Sequence, residues 1–307
     1  MATTEHTEQL HEKHNGMNGN YDPEAQRMDA LKQFRSAASV QMSPELFEKL
    51  YLSPMNEVKG NLRQTFGNPT PIALVGFLLA FTPLTCCLMG WRGAGGSGAS
   101  DNAVYVFMGG LLMLVGGILE WVLGNSFPAC VFCSFGGFWF SYGGTLIPAF
   151  GTYAAYAPAD AESAAEGLTT TGFNASLGKL LQKSNGYRVY TDRVQGFWLL
   201  FMGVLTFVFL ICSLRTNLVF VAIFFSLWFC FMLLTAAFWT LAQDFTGKAK
   251  LAQKLTIAGG ACGFVTCMAG WYILIAVLFA IVDFPIQIPV GDLSTVIKGK
   301  SEKERQA

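Results

Sequence analysis

The sequence predicts an all-α membrane protein with six transmembrane helices. Two observations carry that reading. Of 307 residues, 52% are hydrophobic and only 13% are charged, about half the usual 25% for a soluble domain. The deficit is also localised. Residues 1–67 and 286–307 are ordinary polar sequence, while 68–285 is mostly apolar and supports a mean hydropathy of +0.42. Three regions follow: a cytoplasmic N-terminal tail over 1–67, mostly disordered, a transmembrane domain over 68–285, and a cytoplasmic C-terminal tail over 286–307.

A hydrocarbon core of about 30 Å needs about 20 apolar residues in helical form. Six stretches meet that requirement, at 71–91, 103–123, 128–150, 194–214, 217–241 and 256–282. They lack the alternation of a barrel strand, so helices are the way to satisfy their backbone groups in lipid. Short links at Gly124-Asn125-Ser126-Phe127 and Arg215-Thr216 make helices two and three, and four and five, antiparallel neighbours. The link over 151–193 is long, as functional or disordered loops are. Within it 173–183 has the pattern of a surface amphipathic helix.

The N-terminal tail has no apolar segment of the signal-peptide kind, so targeting falls to the first span. A short helix is expected over 23–38, and Ser43-Pro44 and Ser53-Pro54 read as turns. Orientation follows from basic residues. Seven Lys/Arg in the N-terminal tail, Arg215 and four in the C-terminal tail lie on the inner side if both ends are cytoplasmic. Arg92, four in the long loop, and Lys248, Lys250 and Lys254 then lie outside.

The candidate chemistry is sparse. All eight cysteines fall within the expected spans, and Cys130-Val131-Phe132-Cys133, despite its CxxC spacing, opens a hydrophobic helix with no second pair; packing explains it better than a metal or redox centre. The histidines, His6, His11 and His14, all lie in the N-terminal tail. Neither a catalytic site nor a metal or cofactor is expected, and zero net charge gives no reason to expect nucleic acid. Charge is nearly absent inside the spans, where ion-coupled transporters usually carry it. Glu120 lies a turn from the end of helix two, Asp244 just beyond helix five and Asp283 at the end of helix six. A path through such a protein is walled by neutral polar and aromatic groups and favours small solutes that can shed their charge.

Glycine pairs recur at seven residues, Gly109-Gly110 with Gly116-Gly117 and Gly136-Gly137 with Gly143-Gly144. They give helices two and three smooth stripes for close packing. Asn68-Pro69-Thr70-Pro71 opens helix one: the prolines stiffen the entry and remove donors, Asn68 can cap the first turn, and the helix N-terminus could face an anion. Thr82-Pro83 is expected to kink the same helix.

Asn68-Pro69-Thr70-Pro71-Ile72-Ala73-Leu74 resembles the Asn-Pro-Ala-Pro-Leu-Gly-Leu signature of the acetate uptake transporter family, which includes bacterial succinate–acetate permeases, fungal acetate transporters and suggested ammonia exporters. The likeness continues at 117–121 (Gly-Ile-Leu-Glu-Trp), 124–127, 134–139 (Ser-Phe-Gly-Gly-Phe-Trp), 224–227 (Phe-Phe-Ser-Leu) and 269–272 (Ala-Gly-Trp-Tyr). It implies six helices per subunit, a homohexamer in the plasma membrane, and a separate path for acetate and a proton through each protomer. It also implies a constriction at Phe77, Phe135 and Leu227, with Phe135 standing where the family has Tyr, and a family acidic residue at Glu120 whose role is structural or proton-coupling. Thr70, Ile72 and Ala73 depart from the signature. Ammonium or ammonia export, and a membrane sensor that does not transport, are the alternatives.

One sequon, Asn174-Ala175-Ser176, lies in the long loop and makes the protein a candidate glycoprotein. Asn174→Gln is expected to abolish glycosidase-sensitive gel mobility. Glycosylation of the N-terminal tail instead would invert the topology.

Overall fold

The computed structural model describes residues 66–151, 154–163, 166–167, 170, 197–244 and 246–293. The helices expected over 23–38 and 173–183, the two Ser-Pro dipeptides, the histidines and Asn174 lie outside the described residues.

Six long helical segments are present among the described residues, and no strand. α1 is Thr70–Met89. α2 is continuous through Asn102–Val104, a π-helical stretch Tyr105–Leu112, and Met113–Val122. α3 is Ser126–Leu146, α4 Phe197–Ser213, α5 Leu218–Gln243 and α6 Ala249–Ile281. By length and hydropathy four helices can cross a membrane: Thr70–Met89, Gly96–Val122, Leu218–Gln243 and Ala249–Ile281. Phe197–Ser213 is apolar but shorter. α3 has 21 residues, enough for about 30 Å at 1.5 Å per residue, and its Gly, Ser and Tyr content lowers its hydropathy.

Several helix boundaries differ from those expected, each for a local reason. α1 ends at Met89 because Gly90 takes a left-handed conformation and its amide closes on Cys86 and Cys87. α3 stops at Leu146 rather than 150 because Ile147 precedes Pro148 and is extended. α6 starts seven residues before the expected Thr256, its first two turns carrying exposed Lys250, Gln253 and Lys254 around buried Ala252. Those lysines therefore stand on a helix rather than in a loop. α1 runs as one helix through Pro83, with no break in its helical backbone; Trp271 Nε1 of α6 donates to the Thr82 hydroxyl at 3.2 Å beside it.

Consecutive helices pack closely except α3 and α4, which meet through ring contacts, and α6 packs back on α1, so the bundle closes into a ring. Aromatic pairs join α3 to α4, with Phe138 stacked on Trp198 at 5.1 Å and Phe135 tilted against Phe209 at 6.1 Å. Glycines set the closest approaches. A Cβ at Gly76 would lie 2.6 Å from the Met108 carbonyl oxygen, one at Gly116 2.7 Å from Ala73 Cβ, and one at Gly117 2.6 Å from Cys133 Sγ. The stripe expected on α2 packs, against α1 as well as α3, whereas on α3 Gly136 and Gly143 lie against α2 and Gly137 faces open space. A third stripe, Gly260, Gly263 and Gly270, brings α6 onto α1.

Past α6 the chain folds back along the start of α5. The Leu218 amide donates to Gly291 O at 2.8 Å, the Leu293 amide donates to Thr216 O at 3.0 Å, and the Tyr272 hydroxyl donates to Pro289 O at 2.6 Å. Val290 is buried. Packing thus continues to Leu293, beyond the boundary expected at 285.

One polar cluster ties the start of α1 to the α2–α3 turn. Asn68 Oδ1 accepts from the Thr70 amide at 2.9 Å. The Thr70 hydroxyl donates to Glu120 Oε1, and Asn125 Nδ2 donates to Glu120 Oε2 at 2.6 Å. Glu120 is fully buried and Thr70 and Asn125 almost so. Gly124, with φ +83°, makes the turn that returns Asn125 beneath Glu120. Losing the carboxylate leaves buried donors unmatched, at about 1–3 kcal/mol each. Glu120→Ala is therefore expected to lower the melting temperature in detergent by several degrees, with Thr70→Val doing so less. An unchanged melting temperature in both would separate this cluster from the stability of the bundle.

Candidate functional site

The ring encloses a cavity of about 290 Å³. α1, α3 and α5 form most of its wall, because each turns a run of large apolar residues inward. α1 contributes Phe77, Phe81, Leu84 and Leu88, and α5 contributes Leu227 and Phe231 and continues along its length to Leu241. Phe135, Phe138, Trp139 and Tyr142 come from α3. Leu199 of α4, Ser97 from the α1–α2 connection and Thr256 of α6 complete it. None of the lining residues is charged.

Helix geometry orders these residues along the path. Phe77 stands about 10 Å from the start of α1 and Leu88 about 27 Å from it, at 1.5 Å per residue. Leu241 near the end of α5, Thr256 near the start of α6 and Tyr142 near the end of α3 share the Leu88 level. The cavity thus extends from Phe77, Phe135 and Leu227 towards the side holding the 90–101 connection. Its polar groups, Ser97, Tyr142 and Thr256, gather at that end.

Ring contacts, stacked and edge-on, hold the wall. Trp139 is buried between Phe81 at 6.0 Å and Tyr105 at 5.3 Å, and Phe138 meets Phe231 edge-on at 5.5 Å. Above them the 90–101 connection is strapped down by two hydroxyls. Tyr105 donates to Gly98 O at 2.8 Å and Tyr142 donates to Ser97 O at 2.6 Å.

The structure separates the residues singled out from sequence into two groups. Phe77, Phe135 and Leu227 line the same cavity. Asn68, Thr70 and Glu120 form the polar cluster at the start of α1, with Pro69 and Pro71 buried beside them. The first-turn donors of α1 are engaged there: the Thr70 amide with Asn68, and the Ile72 amide with Pro69 O at 3.0 Å. Cys130 is exposed, Cys133 faces Gly117, and all eight cysteines are free thiols. Among the described residues no group of His, Cys, Asp or Glu could hold a metal ion.

Tyr142 and the strap were not foreseen. The available signal was spacing: Tyr142 follows Phe135 by seven residues, two helical turns, and so shares its face.

The sequence and the fold both match known proteins. The sequence pattern of the GPR1/FUN34/yaaH family matches residues 52–295. The chain is 44% identical over 256 residues to Protein alcS of Aspergillus fumigatus, covering 83% of this chain and 86% of that one. It is 33% identical to Ammonia transport outward protein 2 of Saccharomyces cerevisiae, covering 67% and 60%. It is 30% identical to Acetate transporter protein patA of Aspergillus clavatus, covering 74% and 79%. The solved structure of the bacterial acetate channel SatP superposes with a TM-score of 0.50 at 23% identity, covering 74% of this chain and 99% of that one; it speaks to the fold. A helical bundle closed around an uncharged aromatic cavity, with these relatives, makes this chain a member of the GPR1/FUN34/yaaH family, the acetate uptake transporters.

Proposed function

We propose that the protein carries acetate and similar short monocarboxylates across the membrane, each with its proton, through the cavity of a single protomer. The observation that supports this most is the charge-free lining of that cavity. An ion taken from water into an apolar site without a partner loses several kcal/mol of hydration, whereas the undissociated acid loses far less. Acetic acid resembles a Glu side chain, with a pKa of about 4.3, so its neutral fraction rises as the medium is acidified. In this reading Phe77, Phe135 and Leu227 form the narrow part of the path. Asn68, Thr70 and Glu120 hold α1 in register at one end, and Glu120 acts through structure rather than by relaying the proton.

All six helices cross the bilayer in this proposal, with both termini cytoplasmic and the 90–101 connection outside. The protein sits in the plasma membrane as a homohexamer. Support for burial in lipid and against other copies comes from the exposed large side chains along the outer faces, including Phe107, Trp121, Phe201 and Phe225.

Ammonia export is the second reading. It is favoured by the 33% identity to Ammonia transport outward protein 2 and by a lining that would pass ammonia as readily as an acid. Liposomes containing the purified protein separate the two. Saturable uptake of labelled acetate that rises as external pH falls from 7 to 5, without ammonium flux, is the expected result. Ammonium flux without acetate uptake would replace the first reading by the second. Neither flux would leave a membrane sensor.

Two substitutions test the path itself. Leu227→Ala removes three carbons from the wall and is expected to raise uptake of lactate relative to acetate by about tenfold, since one methylene in a fitted pocket is worth about 1–3 kcal/mol. An unchanged solute range would put Leu227 outside the path. Phe135→Tyr adds a hydroxyl to the cavity and is expected to lower the KM for acetate about fivefold, one hydrogen bond being worth about 1 kcal/mol. An unchanged KM would show that the solute does not meet this side chain.

A further inference from the structure

The polar end of the cavity has a specific geometry. Ser97 and Gly98 both take left-handed backbone conformations, with φ +54° and +68°. Such a conformation is rare for a residue other than glycine, and here it accompanies successive carbonyls bonded to two tyrosines. The Gly98 carbonyl meets the Tyr105 hydroxyl, which is fully buried and does not line the cavity. The Ser97 carbonyl meets the Tyr142 hydroxyl at 2.6 Å, and Ser97 and Tyr142 both line the cavity. One donor and one acceptor, bonded to each other, therefore sit side by side on an otherwise mostly apolar wall.

We infer that the Tyr142 hydroxyl and the Ser97 carbonyl form a recognition step for the undissociated carboxylic acid, opening to accept it between them. This rests on the transport reading above. The acid's carbonyl oxygen accepts from Tyr142, and its own O–H donates to the Ser97 carbonyl, so one broken hydrogen bond is replaced by two. A carboxylate cannot do this. It accepts from Tyr142, but it has no hydrogen for Ser97 and brings a negative oxygen against a carbonyl oxygen. The pair thus recognises the proton on the solute directly, in a cavity whose lining side chains carry no charge. It also admits only solutes small enough to lie between the strap and the rings of Phe138 and Trp139.

Neutral analogues test the pair without changing the protein. Acetamide has a donor and an acceptor placed as in acetic acid, and acetone has the acceptor alone. The titratable neighbours, Tyr105 on α2, Asp101 at its start and Cys87 on α1, act alike on both competitors. In wild-type liposomes taking up labelled acetate, acetamide is expected to inhibit equally at pH 5 and pH 7, and about fivefold more strongly than acetone, the worth of one hydrogen bond. Tyr142→Phe keeps the ring and removes the donor. It is expected to raise the KM for acetate about fivefold and to weaken acetamide and acetone alike, since both lose the donor to their carbonyl oxygen while acetamide keeps its bond to the Ser97 carbonyl. A purely structural defect would lower the maximal rate and leave the KM and the potency of both analogues unchanged, and would overturn the inference. So would equal inhibition by the two analogues in the wild type, a measurement that needs no variant to fold. Absence of saturable acetate uptake by the wild type would remove the transport reading and this pair with it, whereas uptake inhibited equally by both analogues would remove the pair alone.

Discussion

The cost of placing charge inside a helical bundle in lipid governs this protein. A charged side chain at the centre of a spanning helix is unfavourable by about 2.5–3.5 kcal/mol on insertion scales, and a charged solute meets the same penalty. The chain keeps its charge at the ends of the helices. Glu120, a fully buried acid, lies at the α1 start among hydrogen-bond donors, away from the cavity. The cavity itself offers rings, leucines, a thiol and a few hydroxyls. Selection in such a space comes from size and from whether a solute can become neutral.

A charge-free wall still has to be held in shape, and lipid supplies no hydrophobic force between helices. Close contact does that work here. Glycines at 76, 116 and 117 let α1, α2 and α3 approach within van der Waals distance of backbone, and those at 260, 263 and 270 do the same for α6 against α1. The resulting contacts fix Phe81, Trp139 and Tyr105 in one series of rings, Trp139 stacked on Tyr105 and edge-on to Phe81. The π-helical stretch Tyr105–Leu112 contains Gly109 and Gly110, which lie against Trp139 and Phe140. Such stretches are often found at functional sites, and this one supports the cavity wall at Trp139.

Much of this was legible in the sequence, because helices in lipid must be long and apolar and because glycine pairs seven residues apart mark a packing face. The six helical segments and the α2–α3 contact follow from those two patterns. The shared cavity of Phe77, Phe135 and Leu227 followed from the family resemblance; spacing along separate helices cannot say which residues meet. Other features were hidden for physical reasons. The first turns of α6 are polar outside and carry Lys250 and Lys254, so hydropathy does not see them. The fold-back of 284–293 depends on backbone hydrogen bonds to 216 and 218, which no side-chain pattern announces. The strap at Ser97 and Gly98 depends on backbone angles, and the significance of Tyr142 appears only once its hydroxyl is seen on that strap.

The central claim is that the solute crosses without net charge. Its most direct test is acetate flux into liposomes whose membrane potential is set by a potassium gradient and an ionophore. The account predicts an initial rate that follows the concentration of undissociated acid and stays the same as the potential is stepped through about 100 mV in either direction. Moving one elementary charge through that potential is worth about 2.3 kcal/mol. A rate that changes severalfold with the potential at constant pH would mean that the anion itself passes, and would contradict the account.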